Sequence, residues 1–391
     1  YVEQPDYVRG YEVQNDSVIR RNTSVAPHRF ELYRQALVSP PPFSERSLKW
    51  ADAGHYVFYS GRRAYDVAIP KAWISNDHDR HPMIPRLTRE ALIAPWEELV
   101  ETARWMDEQV TGQNYANRID RIRLETWVDN GLQQTTQLHI NGLLHLAGML
   151  SSGKTTLMQV LTVWAVKKGQ HVTLVLGDVV SVLEWAALFV VMGIKAAPVI
   201  GGYNRERHLN RLHRVESEQN SHNPLQLQHN AFQWLGTVCA LNGTLPEPAI
   251  LEPRQLPCTR LQKSDEMDFD RPKYYACPLY HRCGVHRAQR DLVTAQVWVA
   301  TPASLVYTRV PAQLNPVSMR LGELVSQRSD LVLVDEADRV QTQLDATFSP
   351  SEILAGAGGD PWLNQLGGAV ENQIRRSGRR TRCRRSRRAR R

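Results

Sequence analysis

The feature that most constrains this chain is Gly148-Met-Leu-Ser-Ser-Gly-Lys-Thr155, which fits the pattern G-x-x-x-x-G-K-[S/T]. At average residue frequencies, a chance match in a chain this long has a probability of roughly 1%. Each residue type has a chemical reason to be there. Gly148 and Gly153 let the backbone bend so that amides around Ser151 and Ser152 point at phosphate oxygens. Lys154 places a point charge on the terminal phosphates, and the Thr155 hydroxyl ligates Mg²⁺. Thr156 continues the first turn of a helix whose positive dipole end adds to the same anion site. The motif needs a strand before it and a helix after it. Leu143 to Ala147 reads as a short apolar strand, and Thr155 to Lys168 as an amphipathic helix closed by Gly169. ATP with Mg²⁺ is the expected ligand.

Strand–helix alternation continues downstream. Val172 to Leu176, Val297 to Ala300 and Leu331 to Val334 are short and apolar throughout, with a helical stretch from Ser181 to Met192. Such runs predict a parallel sheet covered on both faces, an α/β domain of RecA-like P-loop type over residues 138–372. Residues 1–137 form a Trp- and Pro-rich α+β region with no catalytic constellation. Within it, His55–Tyr59 and Ala64–Ile69 flank Ser60-Gly61 as a hairpin, and Trp96 to Met106 has helical spacing after Pro95. A polar insertion at about 203–295 interrupts the α/β pattern, and residues 373–391 form an Arg-rich tail expected to be disordered.

Charge first suggests a nucleic-acid binder, because the net charge is +8. Residues 375–391, however, hold 11 Arg and no acidic residue, so the rest of the chain, with 37 basic against 40 acidic residues, carries −3. The tail also resembles GC-rich DNA read in a wrong frame. No apolar run of membrane-spanning length occurs, and the opening Tyr1-Val-Glu-Gln-Pro-Asp6 has no signal-peptide pattern and no initiator Met, as a fragment would. Five cysteines in 391 residues are too few for a disulfide scaffold and indicate a reducing, cytoplasmic compartment.

Two further constellations carry chemistry. Asp335-Glu336-Ala337-Asp338 follows the last apolar strand, where Asp335 would hold Mg²⁺ and Glu336 act as the base toward water. Cys239, Cys258, Cys277 and Cys283 cluster between the phosphate loop and this acidic motif, separated by 18, 18 and 5 residues. Four thiolates in one insertion suit an iron–sulfur cluster or a tetrahedral zinc, and His286 is an alternative zinc ligand. Arg205 to Arg214 places several cations near one helical face, either a single-strand channel wall or a solvated helix.

Together these residues resemble superfamily 2 helicases. Gly148–Thr155 is similar to their motif I, Asp335–Asp338 to their D-E-A-D box, and Val175–Asp178 lies where motif Ia runs. Thr301-Pro-Ala-Ser-Leu305 resembles the T-P-x-x-L segment that touches nucleic acid. The cysteine insertion, with Cys277-Pro-Leu-Tyr280, Cys283 and the segment Arg287 to Ala300, narrows the resemblance to the DinG/XPD-like iron–sulfur helicases. The chain is divergent, with T-P-A-S-L where the DinG branch has N-H-A-L-L, and D-E-A-D where it has D-E-A-H. The resemblance covers about residues 138–345. It implies a 4Fe–4S cluster on the four named cysteines and an ATP-dependent DNA motor moving 5′ to 3′, with single-stranded DNA as partner.

Helicase action needs a second RecA-like domain supplying arginine fingers, and no S-A-T or Q-x-x-R-x-x-R motif follows Asp338. The expectation is a motor fragment that binds ATP–Mg²⁺, hydrolyses it poorly and does not unwind DNA unaided. The alternative is a non-catalytic nucleotide-binding module, stabilised by zinc and serving as a scaffold in a larger complex. A third reading is a P-loop ATPase with a metal insertion and no nucleic-acid partner.

Overall fold

The computed structural model describes residues 46–74, 91–128, 131–149, 151–202, 204–219, 229–245, 256–266 and 270–348, with short pieces elsewhere. The Arg-rich tail and Cys383 lie outside the described residues. Chain contacts divide the protein into two units, residues 1–335 and 336–391.

In the first unit, β1 (Tyr11–Gln14) and β2 (Ser17–Arg20) pair antiparallel. Two residues, Lys49–Trp50, form β3, and the predicted hairpin comes next as β4 (Gly54–Ser60) and β5 (Arg63–Ile69). Gly61, at φ +62°, takes the left-handed turn position that an L side chain disfavours. After β6 (Leu92–Pro95), helix α1 (Trp96–Gln109) buries Leu99, Thr102, Ala103 and Met106, a spacing that keeps one face inward. Its start carries Glu97 and Glu98, favourable at the positive end of a helix. The short helix α2 (Tyr115–Asp120) and strands β7 (Glu125–Val128), β8 (Gly131–Gln134) and β9 (Gln137–Ile140) complete this part. It is bonded directly to the α/β region. The Glu98 carboxylate accepts from Trp164 Nε1 at 2.6 Å and pairs with Lys168 at 2.9 Å, tying α1 to the helix after the phosphate loop.

That helix, α3 (Lys154–Lys167), is buried from Thr156 through Val166, eleven consecutive residues. A helix apolar all round belongs inside, and α3 packs in one core with α1, α2 and the central sheet. Each of its larger apolar side chains contributes roughly 1.5–3 kcal/mol by leaving water. The remaining elements are β10 (Val172–Val175), α4 (Val179–Val191), β11 (Ala196–Val199), α5 (Arg205–Gln219), β12 (Gln262–Lys263), β13 (Tyr275–Ala276), α6 (Arg287–Thr294), β14 (Val297–Ala300), α7 (Pro302–Tyr307), α8 (Leu321–Arg328) and β15 (Leu331–Val334).

The fold is mixed α/β around a parallel sheet, as the apolar runs imply. Four strands stand in the order β11–β14–β10–β15, every pair parallel. Alternation sends Val172, Leu174, Val297 and Val299 to the α3 face, while Ala197, Val199, Trp298 and Ala300 join Leu321, Leu324 and Val325 on the other. On that second face the Thr173 and Ser329 hydroxyls satisfy each other at 2.6 Å.

One expected strand is missing. Leu143 to Ala147 is irregular and exposed, with Leu143 at 98% exposure. An apolar run becomes a strand only beside a partner, and the sheet ends at β15, where Val332 and Val334 are themselves exposed. The phosphate loop therefore has its helix but no strand leading into it.

The second unit contains α9 (Ala337–Phe348), an amphipathic helix preceded by Glu336 at φ +47°. That left-handed conformation costs a non-glycine residue about 1–2 kcal/mol. No helix among the described residues is long and apolar enough to cross a membrane.

Candidate nucleotide and metal sites

The Gly148–Thr155 loop contains two left-handed residues, Ser151 at φ +61° and Gly153 at φ +90°. At Gly153 a Cβ would also lie 2.7 Å from Ile122 Cδ1, so glycine is required both by the dihedral and by the approach of Ile122, just beyond α2. At Gly148 a Cβ would meet Ser152 Oγ at 2.8 Å. Gly153 is the residue before α3 and provides no side-chain cap, so the first-turn amides around Lys154, Thr155 and Thr156 have no acceptor within the helix. Lys154 folds over the loop and donates from Nζ to the carbonyls of Gly148 (2.6 Å) and Met149 (3.2 Å). In this arrangement the ammonium holds the loop carbonyls where an anion would compete for it.

Asp335 directly follows β15, its amide donating to Val175 O at 2.9 Å at the carboxyl end of β10. Asp178, at the same end of β10, caps α4: its carboxylate accepts from the Val180 and Ser181 amides and from Ser181 Oγ at 2.7 Å. Glu336 lies in the second unit, exposed and paired with Arg339 at 3.1 Å. Thr301 opens α7 as one half of a capping box with Ser304, so the T-P-A-S-L segment has a local structural role in the fold.

The four cysteines of the insertion converge. Cys239, Cys258, Cys277 and Cys283 line one small cavity with Leu241, Leu279, Tyr280 and His286. Short turns bring them there. Cys239, Cys277 and Cys283 each stand at the N-terminal cap of a 3₁₀ turn, and the Cys277 amide donates to Cys258 O at 3.0 Å. Arg290 fixes one wall by donating from Nη1 to the carbonyls of Tyr280 and Cys283, both at 2.6 Å. Gln313 does the same for the Cys258 carbonyl at 3.2 Å. Among the described residues no three His, Cys, Asp or Glu side chains draw together closely enough to hold a single metal ion.

Electrostatics follow from burial. Desolvation raises the Cys239 thiol pKa, partly offset by the Leu241 and Asn242 amides that point at its sulfur. Burial pushes Cys277 up to about 12, against the Leu279 amide. Cys258 goes higher still, from burial and then from the neighbouring thiols. His286 moves the other way, down to about 4, because burial disfavours its cation. Its Nε2 lies 3.0 Å from Cys258 Sγ. A metal or cluster bound at Cys239, Cys258 and Cys277 would have to displace protons from these buried thiols.

Sequence reasoning missed the core that packs behind Cys239 and Leu241. β12 pairs with β4, and β13 with β3, so residues 49–69 and 262–276 share sheet edges. Tyr56, Phe58, Val67 and Ile69 form one core with Cys239, Leu241, Leu245 and Leu261. Two-residue strands have no periodicity to find in a sequence. The Arg205–Arg214 reading also divides: α5 is a helix, but Arg205 is only 2% exposed and so lines no channel.

No curated protein and no solved structure matches the chain. Residues 1–83, which contain the hairpin that shares a core with Cys239 and Leu241, match the family model described as pPIWI RE three-gene island domain Z.

Proposed function

We propose that this chain is the first motor part of an ATP-dependent DNA helicase of the DinG/XPD-like, iron–sulfur kind. The observation that carries the reading is the convergence of four cysteines, spread over 45 residues between the phosphate loop and the D-E-A-D motif, on one cavity. The donor set fits a 4Fe–4S cluster: four thiols, amides directed at the sulfurs of Cys239 and Cys277, and an apolar floor. Such a cluster would serve as a rigid cross-link of the lobe. Cys239, Cys258, Cys277 and Cys283 would hold it, and the β4–β5 hairpin would brace the core behind Cys239.

For ATP–Mg²⁺, the first-turn amides of α3 and Lys154 would bind phosphates, with Lys154 leaving the loop carbonyls as it does so. Thr155 and Asp335 would hold magnesium, and Glu336 would orient water. A second RecA-like domain would supply the transition-state arginines. Single-stranded DNA is the proposed substrate strand, and the "three-gene island" in the description of the matched family is compatible with a motor working beside other gene products.

The second reading, a zinc-stabilised scaffold, is favoured by one observation, the 3.0 Å approach of His286 Nε2 to Cys258 Sγ. Anaerobic purification separates the two. The helicase reading expects about four iron and four sulfide per chain and absorbance near 400 nm. It also expects ATP binding that Lys154→Ala abolishes and single-stranded DNA binding. Stoichiometric zinc without iron would overturn it in favour of the scaffold.

A further inference from the structure

Arg205 is the most deeply buried cation of the described residues that faces the cysteine lobe, at 2% exposure. It opens α5 at the edge of the insertion. Its Nη1 donates to the Val285 carbonyl and, at 3.2 Å, to the Gly236 carbonyl, with a long contact from Nε to Gly201 O at 3.5 Å. Those two acceptors belong to the two backbone segments that carry Cys239 and Cys283. The segments touch so closely there that a Cβ on Gly236 would lie 2.8 Å from the Gly284 carbonyl group. Nη2 is buried without any hydrogen-bond partner. Burial works against its charge, and the Cys283 and Cys258 sulfurs, once ionised, would support it.

A buried guanidinium with an idle donor and no carboxylate partner among the described residues is expensive. Its cost falls once the adjoining cavity holds anionic thiolates. We propose that Arg205 is a positioning and counter-charge residue for the cysteine site, clamping the Gly236 and Val285 segments together while its cation stabilises a thiolate-ligated, net-anionic cluster. This rests on the iron–sulfur reading of the cavity. Arg290 shares the task on the other wall but is bonded to carbonyls and only half-buried. Arg205 differs by having donor capacity left over.

The test uses the whole chain, purified anaerobically, with Arg205→Met (similar volume, no charge) and Arg205→Lys (charge without the fork). Readouts are iron and sulfide per chain, the rate at which a chelator bleaches the 400 nm absorbance, and the cluster's reduction potential. Outer-shell partners of metal ligands change affinity by roughly 10–100-fold. Arg205→Met is therefore expected to lose its cluster at least about tenfold faster and to have a more negative potential. Arg205→Lys restores the potential, because charge acts at a distance, but only partly restores retention, because one ammonium cannot bridge both carbonyls as the fork does. A potential unchanged in the Met variant, or a Lys variant as displaced as Met, overturns the counter-charge assignment while leaving the cluster reading standing. If Arg205→Met fails to fold, the Lys potential decides alone. Wild-type chain that holds zinc and no iron overturns both together.

Discussion

Phe58→Ala is the most informative single perturbation of the lobe. Phe58 is fully buried and stacks on Tyr65 with ring centroids 5.4 Å apart. It sits in the core that also contains Tyr56, Val67, Ile69, Cys239, Leu241 and Leu261, separate from the cores on the two faces of the parallel sheet. Removing a buried phenylalanine costs about 3–5 kcal/mol, through lost transfer energy and the cavity left behind. Among the described residues nine buried side chains make up this core, so the loss falls on a small cooperative unit. At 1.4 kcal/mol per factor of ten, opening of the lobe becomes about a hundredfold to a few-thousandfold more frequent. Hydrogen exchange read by mass spectrometry would show it. Amides of 54–69, 239–245 and 275–286 are expected to exchange much faster, while those of β10 and β14 keep their protection. Bound iron should leave the variant correspondingly faster. Equal acceleration in the lobe and in the parallel sheet would refute the separation of the two cores. Unchanged exchange at 239–245 would refute the claim that the N-terminal hairpin supports the cysteine cavity.

Gly153→Ala meets both a left-handed backbone and the Ile122 side chain, so it should destabilise by about 1–3 kcal/mol and weaken nucleotide binding by more than tenfold. Adding Ile122→Ala should recover part of the stability and little of the affinity, read by thermal unfolding and a fluorescent ATP analogue. Asp178→Ala removes the α4 cap and should cost about 1 kcal/mol near neutral pH. Burial pushes the Asp178 pKa up, but the Ser181 hydroxyl and the Ser181 and Val180 amides hold it below the usual 3.8. Because the folded value is depressed, the contribution is present above the unfolded value and disappears as pH falls through the folded one. Denaturant midpoints of wild type and Asp178→Ala should therefore converge in acid, and a gap independent of pH would contradict the charged cap.

Much of the architecture was legible because periodic elements declare themselves. α3, α4, the hairpin and the strands β10, β14 and β15 all fall within a residue or two of where their apolar spacing places them, while α1 runs three residues past Met106 and leaves Pro95 in β6. Leu143 to Ala147 shows the limit of that reading, since an apolar run records a wish to be buried and not the presence of a neighbour. The cysteine cluster was visible as composition, whereas the geometry that gathers it, turns and two-residue pairings more than 200 positions apart, leaves no local trace. Arg205 was noticed as part of a charged helix. Its burial became apparent only through Gly236 and Val285, residues with nothing chemical to advertise.

The pairing of β3 and β4 with β13 and β12 also sets an order of events during synthesis. Val57 meets Gln262, and Lys49 meets Tyr275, so the hairpin is finished long before its partner strands exist. Closing loops of that length is slow relative to helix formation. The ribosome therefore releases a hairpin with an uncovered apolar face, Tyr56, Phe58 and Val67, that stays exposed until residue 276 has emerged. During that interval the chain is vulnerable to misassociation. Cys239 and Cys258 emerge while the hairpin is still waiting, so the same late docking step completes the lobe and closes its cysteine cavity.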